Sequence, residues 1–260
     1  MNKREIKIPS LGSIELIDYM GSDDRIAQAA RVSFGGGEAK NNERLIRYLM
    51  RHRHTSPFEM CELMFKIECP IFVARQWMRH RTASINEVSG RYVDMREMGV
   101  YVPDEENVNK QSPTKKQGRS KEVVYGVRDV FYSPYQRAYL AYEELIEKGV
   151  AYELARAVLP LGTFTEFVWK IDLHNLLHFL ELRMHPSAQW EIRQFAKAIA
   201  EMVEDLFPIT WQAFEDYRLN AVTLSAEVWK KVGPILKNHL DKLHGDSPDM
   251  REFREILNEE

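Results

Sequence analysis

Hydrophobic and polar positions alternate with two different periods along the chain, and each period predicts its own kind of element. Residues 61–67 place Cys, Leu, Phe and Ile at odd positions with mostly polar residues between them, which predicts a half-buried strand. A weaker alternation over residues 5–19 predicts another strand, and the apolar run at 164–169 a third.

Most of the remaining chain shows the hydrophobic period of helices, and several of these predicted helices begin at a side chain that can cap them. Ser22 or Asp23 is predicted to cap the first helix and Asn41 the second, because their oxygens can accept from free backbone N–H groups. Asp172 and Ser187 take the same position before two later helices. The apolar positions expected to face the core are Ile26, Ala27 and Ala30; Leu45, Ile46, Leu49 and Met50; Leu173, Leu176, Leu177 and Leu180; and Ile192, Phe195, Ala196, Ile199, Val203 and Leu206.

Proline and glycine set the expected boundaries of three further helices. Pro70 is expected to begin one helix, and the Ser-Pro pair at 133–134 another that ends near Gly149. A short helix is predicted to carry Arg156 and to stop near Pro160.

Together these elements predict an α+β fold, with several helices around a small antiparallel sheet. Residues 103–122 are polar and rich in Lys, Ser, Gly and Pro, which indicates a mobile insertion or lid rather than core. Residues 1–220 are expected to form one domain and residues 221–260 a helical C-terminal extension.

Composition limits the possible partners of the chain. Its 260 residues carry a formal net charge of −3, so no overall basic field attracts it to nucleic acid or membrane. An anionic ligand must therefore be held by a local group of cations. The N-terminus lacks the apolar stretch of a signal peptide, and no apolar run reaches transmembrane length, so a cytoplasmic protein is expected.

The two cysteines, Cys61 and Cys69, also fit a reducing compartment. Cys69 precedes a proline, and a nucleophilic thiol at this position is one interpretation. Both cysteines nevertheless follow the apolar phase of the predicted strand, which favours a structural role as small core residues.

Four arginines lie within residues 75–91, and they predict an anion site. Arg75 and Arg79 share one face of the predicted helix, which is expected to end at Arg81. A polar loop is then expected to close on Gly90 and Arg91. Arginine binds phosphate through a planar fork, and glycine lets the backbone approach a ligand closely. The alternative is that these cations only complement the helix dipole.

The same stretch carries a specific resemblance. Residues 79–91, RHRTASINEVSGR, match all eight specified positions of RHRxxSxNExSxR, the signature of the flavin-dependent thymidylate synthases. Segments 54–59 (HTSPFE), 155–160, 182–183 and 188–191 (AQWE) are similar to other blocks of that family. The resemblance extends from about residue 15 to residue 217.

This resemblance implies a homotetramer whose active sites are shared between subunits and bind FAD and dUMP. The residues it implies for FAD are Ser56, Arg79, His80, Arg81, Glu87, Asp172, His174 and His178. The residues it implies for dUMP are Gln76, Arg79, Glu87, Val88, Ser89, Gly90, Arg91, Arg156 and Arg183. Some relatives carry Asn and Arg where this chain has Asp172 and His174.

The implied reaction is the reductive methylation of dUMP to dTMP. The implied one-carbon donor is 5,10-methylenetetrahydrofolate, and the implied hydride source is FAD reduced by NADPH. Arg183 would be the catalytic residue, because a cation beside the pyrimidine could stabilise the ionised form of the pyrimidine. No enzyme thiol is required.

Three other functions are considered for particular residues of the chain. His174, His178 and Glu181 share one helix face and could bind a metal, although a polar strip beside a cleft is the favoured interpretation and no metal is expected. A nucleic-acid binder would use the arginines of 79–91 as a phosphate stripe, but it would usually be more basic. A cofactor-free interaction protein would use residues 103–122 as a tether.

Overall fold

A computed structural model describes residues 4–33, 35–36, 41–114, 118–242 and 244–259. The chain divides into two compact units, Met1–Leu219 and Asn220–Glu260. That division falls one residue before the expected boundary. The roles expected for the two stretches, a catalytic domain and an extension, stay predictions.

The first unit combines strands and helices. It begins with β1 (Arg4–Ile8), β2 (Gly12–Met20), α1 (Asp23–Val32), α2 (Asn42–Arg51), α3 (Ser56–Glu59), β3 (Glu62–Pro70), α4 (Ile71–Trp77) and β4 (Ser84–Glu87). It continues with β5 (Asn109–Gln111), β6 (Arg119–Val123), α5 (Arg128–Glu147), α6 (Tyr152–Ala155), β7 (Phe164–Asp172), α7 (Leu173–Met184), α8 (Trp190–Leu206) and α9 (Pro208–Phe214). Short 3-10 turns lie at Met95–Glu97, Glu105–Asn107 and Arg156–Val158, and a π-helical turn at Glu215–Leu219 ends the unit.

An antiparallel sheet organises this unit, with the described strands in the order β1-β2-β3-β7-β4. The expected α+β class with a small antiparallel sheet is confirmed. β3 and β7 pair along their full length, with Phe65 opposite Trp169. Alternate residues of both strands are buried, as the sequence periods predict.

The core beside this sheet is rich in aromatic rings. Trp77, the last residue of α4, is fully buried. Its ring centroid lies between 5.0 and 5.7 Å from those of Phe167, Trp169, Phe179 and Phe195. α4 therefore holds the residues that follow it against both the sheet and the helices α7 and α8.

Three predicted helix caps are confirmed. The side chains of Ser22, Asn41 and Asp172 each accept a hydrogen bond from the backbone N–H three residues ahead, at 3.2, 2.8 and 2.9 Å. The predicted apolar stripes of α1, α2, α7 and α8 face the core, with Leu45 and Leu206 only partly buried.

Two strand predictions need correction. The alternation over residues 5–19 belongs to the hairpin β1–β2, because the chain reverses between Ile8 and Gly12. Gly12 has a φ of 127°, and a Cβ there would lie 2.0 Å from the carbonyl oxygen of Glu68. Only glycine fits such an approach. Ser84–Glu87, expected in a polar loop, instead form the edge strand β4, because they pair with β7.

Two helix boundaries also differ from the prediction. α4 ends at Trp77 rather than Arg81, because the chain turns at Met78 and returns to the sheet edge as β4. α8 begins at Trp190 rather than directly after Ser187. The Ser187 hydroxyl hydrogen-bonds the ring of His185 at 2.6 Å and does not cap the helix.

The helix α5 begins at Arg128, so the predicted start at residues 133–134 is wrong. Pro134 lies inside the helix, where it cannot donate to the carbonyl of Val130. Val130 is 69% exposed, so water can reach that carbonyl region and reduce the cost of the missing bond. Gly149 follows the helix with a φ of 79°, as expected for a residue that ends one.

The polar segment 103–122 contains a β-hairpin rather than only loop. β5 and β6 pair antiparallel as a separate two-stranded sheet. Arg119 of this hairpin forms an ion pair with Glu191 at the start of α8. The segment lies outside the main core, as expected, and its mobility stays a prediction.

The second unit contains the helices α10 (Ala226–Lys237) and α11 (Pro248–Glu259). The Ser225 side chain caps α10 by accepting from the N–H of Val228, and Trp229 meets Phe253 edge to face. None of the helices described in either unit has the length and apolar character needed to cross a membrane.

Candidate active site

A cleft of about 930 Å³ opens where the end of α4 meets the end of α7. Gln76, Arg79 and Arg183, all predicted site residues, line it. Gln76 comes from α4, Arg79 from the turn that follows, and Arg183 from the last turn of α7. The fold thus brings Arg183 together with two predicted residues that lie more than 100 positions earlier in the chain.

The Arg183 guanidinium is held in a defined orientation at this cleft. Its Nε donates to Nε2 of His80 at 2.9 Å, and one terminal nitrogen donates to the backbone oxygen of Gln76 at 3.4 Å. Burial, and to a lesser extent the nearby Arg79, lowers the pKa of Arg183. Guanidinium groups stay charged even so, and the cation is therefore pre-placed for a ligand in the cleft.

His80 is a neutral acceptor in this arrangement. Burial, followed by the charges of Arg183 and His178, lowers the pKa of His80 to about 4. Because Nε2 accepts from Arg183, the ring proton must lie on Nδ1.

We expect this histidine to make the protein less stable in acid. An unfolded histidine takes up a proton near pH 6.5, whereas His80 in the folded protein does so only near pH 4. Between these values the unfolded state binds more protons, so stability falls as pH is lowered from 6.5 to 4. With allowance for solvent around a half-buried ring, the loss should be about 1–2 kcal/mol.

Urea unfolding at pH 7.0 and pH 4.5 measures this effect. The control is His80→Gln, which keeps an acceptor for Arg183 but has no proton to gain. The variant should lose less stability than the wild type over this interval. An equal loss in both proteins would contradict the assignment to His80.

A second group of predicted residues lies along β4 and the turn after it. Glu87 accepts from the hydroxyl of Thr165 at 2.6 Å. Gly90 is buried, and a Cβ there would lie 3.2 Å from Cδ of Arg156, so the arginine packs closely over this glycine. Arg91 is exposed and pairs with Glu153 at 3.3 Å. None of these residues is among those lining the cleft at Arg183.

The third group surrounds a smaller cavity of about 90 Å³ beside α7. His174 and His178 line it, together with His54, Thr55 and Glu181. Arg53 and Arg218 add two cations to the same wall. The ring of His178 lies 6.2 Å from that of His80, which connects this cavity to the Arg183 cleft.

The remaining predicted residues stand at the edges of these groups. Ser56 is the exposed first residue of α3, next to Thr55 of the small cavity, and Arg81 is exposed after α4. Asp172 caps α7, and its two oxygens accept from the backbone N–H and the amide of Asn175 at 2.9 and 2.7 Å. No cluster suited to a metal ion occurs among the residues described.

The prediction missed several cleft residues. One of them is Gln189, which accepts a hydrogen bond from the Gln76 side chain. Its position in the AQWE block at 188–191, which resembles a block of the family, is the sequence feature that could have identified it. Arg119, Lys121 and Arg193 also line the cleft. The hairpin that carries the first two gave no signal beyond its polarity.

The cysteines lie among apolar residues in the core of the first unit. Cys61 and Cys69 are both fully buried and unpaired. Burial raises the pKa of both thiols above the usual range. Because the thiolate is the nucleophile, neither cysteine is suited to attack a substrate.

Comparison with known proteins gives a consistent set of relatives. Residues 15–209 match the family described as thymidylate synthase complementing protein, Thy1. The chain is 48% identical to a flavin-dependent thymidylate synthase of Thermus thermophilus, over 92% of this chain and 97% of that protein. It is 45% identical to the flavin-dependent thymidylate synthase of Ruegeria pomeroyi, over 94% of this chain and 84% of that protein.

A solved structure is also similar. The crystal structure of the UMP/dUMP methylase PolB from Streptomyces cacaoi, bound with 5-Br dUMP, superposes with a TM-score of 0.72. Its sequence is 35% identical, and the match covers 82% of this chain and 99% of that one.

Proposed function

The chain belongs to the flavin-dependent thymidylate synthase family, and from this premise we propose that it methylates dUMP to dTMP reductively. The proposed one-carbon donor is 5,10-methylenetetrahydrofolate, and the proposed reductant is NADPH, acting through FAD. The observation that carries the proposal is the oriented Arg183 beside Gln76 and Arg79 in a cleft large enough for a nucleotide.

The chemistry of the residues supports dUMP as the substrate. Gln76 and Arg183 offer an amide and a planar fork, which suit the polar edge of a uracil ring. Arg91 and Arg156 offer exposed cations beside Gly90, which suit a phosphate. Glu87, Val88 and Ser89 complete the proposed dUMP residues.

Gln76 and Arg183, the residues proposed for the uracil, line the cleft, whereas Arg91 and Arg156, proposed for the phosphate, do not. This division supports a site shared between subunits. We propose that a homotetramer brings the Arg183 cleft of one subunit against the Gly90 turn of another. Sedimentation of the active protein measures the assembly. A stable and fully active monomer would contradict this part of the proposal.

The residues of the small cavity and of the RHR run fit FAD. Imidazoles at His174 and His178, with arginines beside them, suit the phosphates and polar ring edge of a flavin nucleotide. Ser56, Arg79, His80, Arg81 and Glu87 would contribute further contacts. Asp172 fits least well, because both of its oxygens already accept within the chain. When bound and reduced, FAD supplies the hydride of the reaction.

The protein would act mainly by positioning and by electrostatics. Arg183 faces the cleft as a fixed cation and would stabilise negative charge on the pyrimidine when C5 acts as the nucleophile. Arg79, Arg91 and Arg156 would orient the nucleotide through its phosphate. The raised pKa values of Cys61 and Cys69 agree with a mechanism that uses no thiolate.

The absorption spectrum of the purified protein tests the proposal most directly. We expect a yellow protein that releases FAD on denaturation and whose flavin spectrum changes when dUMP is added. Addition of NADPH and methylenetetrahydrofolate should then yield dTMP, measured by chromatography. A colourless protein that takes up no added FAD would refute the proposed function.

A further inference from the structure

The wall of the Arg183 cleft formed by the β5–β6 hairpin is strongly basic. Arg119 and Lys121 of the hairpin and Arg193 of α8 face the same cleft as Arg79 and Arg183. The described residues that line this cleft include no carboxylate. In a chain with a net charge of −3, such a concentration of cations favours an anionic ligand.

A partly buried ion pair joins the hairpin to α8. Arg119 pairs with Glu191, whose side chain is only 2% exposed. Another terminal nitrogen of Arg119 donates to the backbone oxygen of Asn107 at 2.5 Å, and the Tyr101 hydroxyl donates to Glu191 at 3.3 Å. A buried carboxylate requires such partners, so the contact holds β6 in a defined position.

Lys121 lies two residues beyond this anchor on the same strand. Arg119, Ser120 and Lys121 all line the cleft, so this part of β6 forms a continuous stretch of its wall. Lys121 is exposed and forms no ion pair with any residue that the structure describes. Its ammonium is therefore available to a ligand, whereas Arg119 is already engaged by Glu191.

We propose that this hairpin is a substrate-binding wall, on which Lys121 contacts an oxyanion of a bound substrate while the Arg119–Glu191 pair holds the strand in place. The inference rests on the proposed function and extends it to residues outside the family signature. The oxyanion is either the phosphate of the nucleotide or a glutamate carboxylate of the folate, since both present the same charged oxygens to an ammonium group.

Binding measurements on the flavin-loaded protein distinguish the two sources. Lys121→Ala should raise the Kd of one substrate about tenfold, the effect of losing one hydrogen bond to a charged group. Calorimetric titration with dUMP and, separately, with methylenetetrahydrofolate shows which substrate is affected. The matched control is Lys110→Ala, which removes a cation that pairs with Glu122 on the same hairpin but does not line the cleft.

Glu191→Gln tests the positioning role of the anchor. It keeps the side-chain shape and leaves every cleft cation in place, but removes the charge that binds Arg119. We expect the KM of the substrate identified with Lys121→Ala to rise several-fold while kcat and the KM of the other substrate stay unchanged. A purely structural defect would instead lower kcat or affect both substrates.

The outcomes separate this inference from the proposed function. A wild-type protein that binds dUMP and forms dTMP, with Lys121→Ala equal to it in both titrations, would overturn the inference alone. A wild-type protein that binds neither probe would overturn the proposed function and the inference with it.

Discussion

Replacement of Arg183 by lysine is expected to reduce dTMP formation by about 10²–10³-fold, the usual cost of removing one pre-placed donor from a developing negative charge. Lysine keeps the charge but has no Nε–H and no planar fork. It cannot donate to His80 and present two parallel N–H groups to a pyrimidine at the same time. The bond at 2.9 Å that now orients the guanidinium would be lost.

The measurement is single-turnover formation of dTMP by pre-reduced enzyme, which removes any effect on NADPH oxidation. FAD content should remain close to the wild-type value, because Arg183 does not line the small cavity that holds His174 and His178. If Arg183→Lys turns over at the wild-type rate, the activating cation is elsewhere, and Arg156 is the next to test.

The double variant Cys61→Ala, Cys69→Ala is the matched control for this mechanism. Both thiols are buried in the core, so some stability should be lost through the small cavities left behind. Single-turnover dTMP formation should persist, because no thiolate takes part. A folded, flavin-loaded double variant without activity would show that the thiol-free mechanism is wrong.

Trp77→Ala is expected to lower the free energy of unfolding by about 3–5 kcal/mol, as large-to-small substitutions of buried aromatic residues generally do. The indole contacts four other rings, from Phe167, Trp169, Phe179 and Phe195. No single neighbour can move into the space without separating the sheet from α7 and α8. The same change should loosen the adjacent Gln76 and Arg79 and weaken nucleotide binding.

Guanidinium unfolding at a fixed protein concentration, followed by circular dichroism, measures this loss. Trp77→Phe should cost much less, because it keeps a ring and removes an indole N–H that has no partner among the described residues. Tyr125→Ala is the surface control, since this side chain is 72% exposed and should change stability by less than about 0.5 kcal/mol. A loss below about 1 kcal/mol for Trp77→Ala would show that the aromatic cluster can repack.

Local chemistry explains which parts of this protein were predictable. Ser22, Asn41 and Asp172 were identified as caps because a cap needs only one side chain and a backbone N–H three residues away. The strand β3 was recognised from its period of two, since one face of it is buried. The RHR signature and the neighbouring blocks were enough to identify the family and to nominate Arg183.

Contacts between segments far apart in the sequence determined the features that the sequence did not predict, namely the strand β4 and the cations of the cleft. Ser84–Glu87 form a strand only because β7, about 80 residues later, offers a free edge to pair with. The basic hairpin is part of the cleft because Arg119 meets Glu191, and Arg183 is oriented because it meets His80, 103 positions away. The sequence by itself determined three helix caps, the strand β3, the arginine-rich signature and the family. Only the tertiary structure decided which cations share a cleft, because that depends on contacts between segments whose separation along the chain carries no local signal.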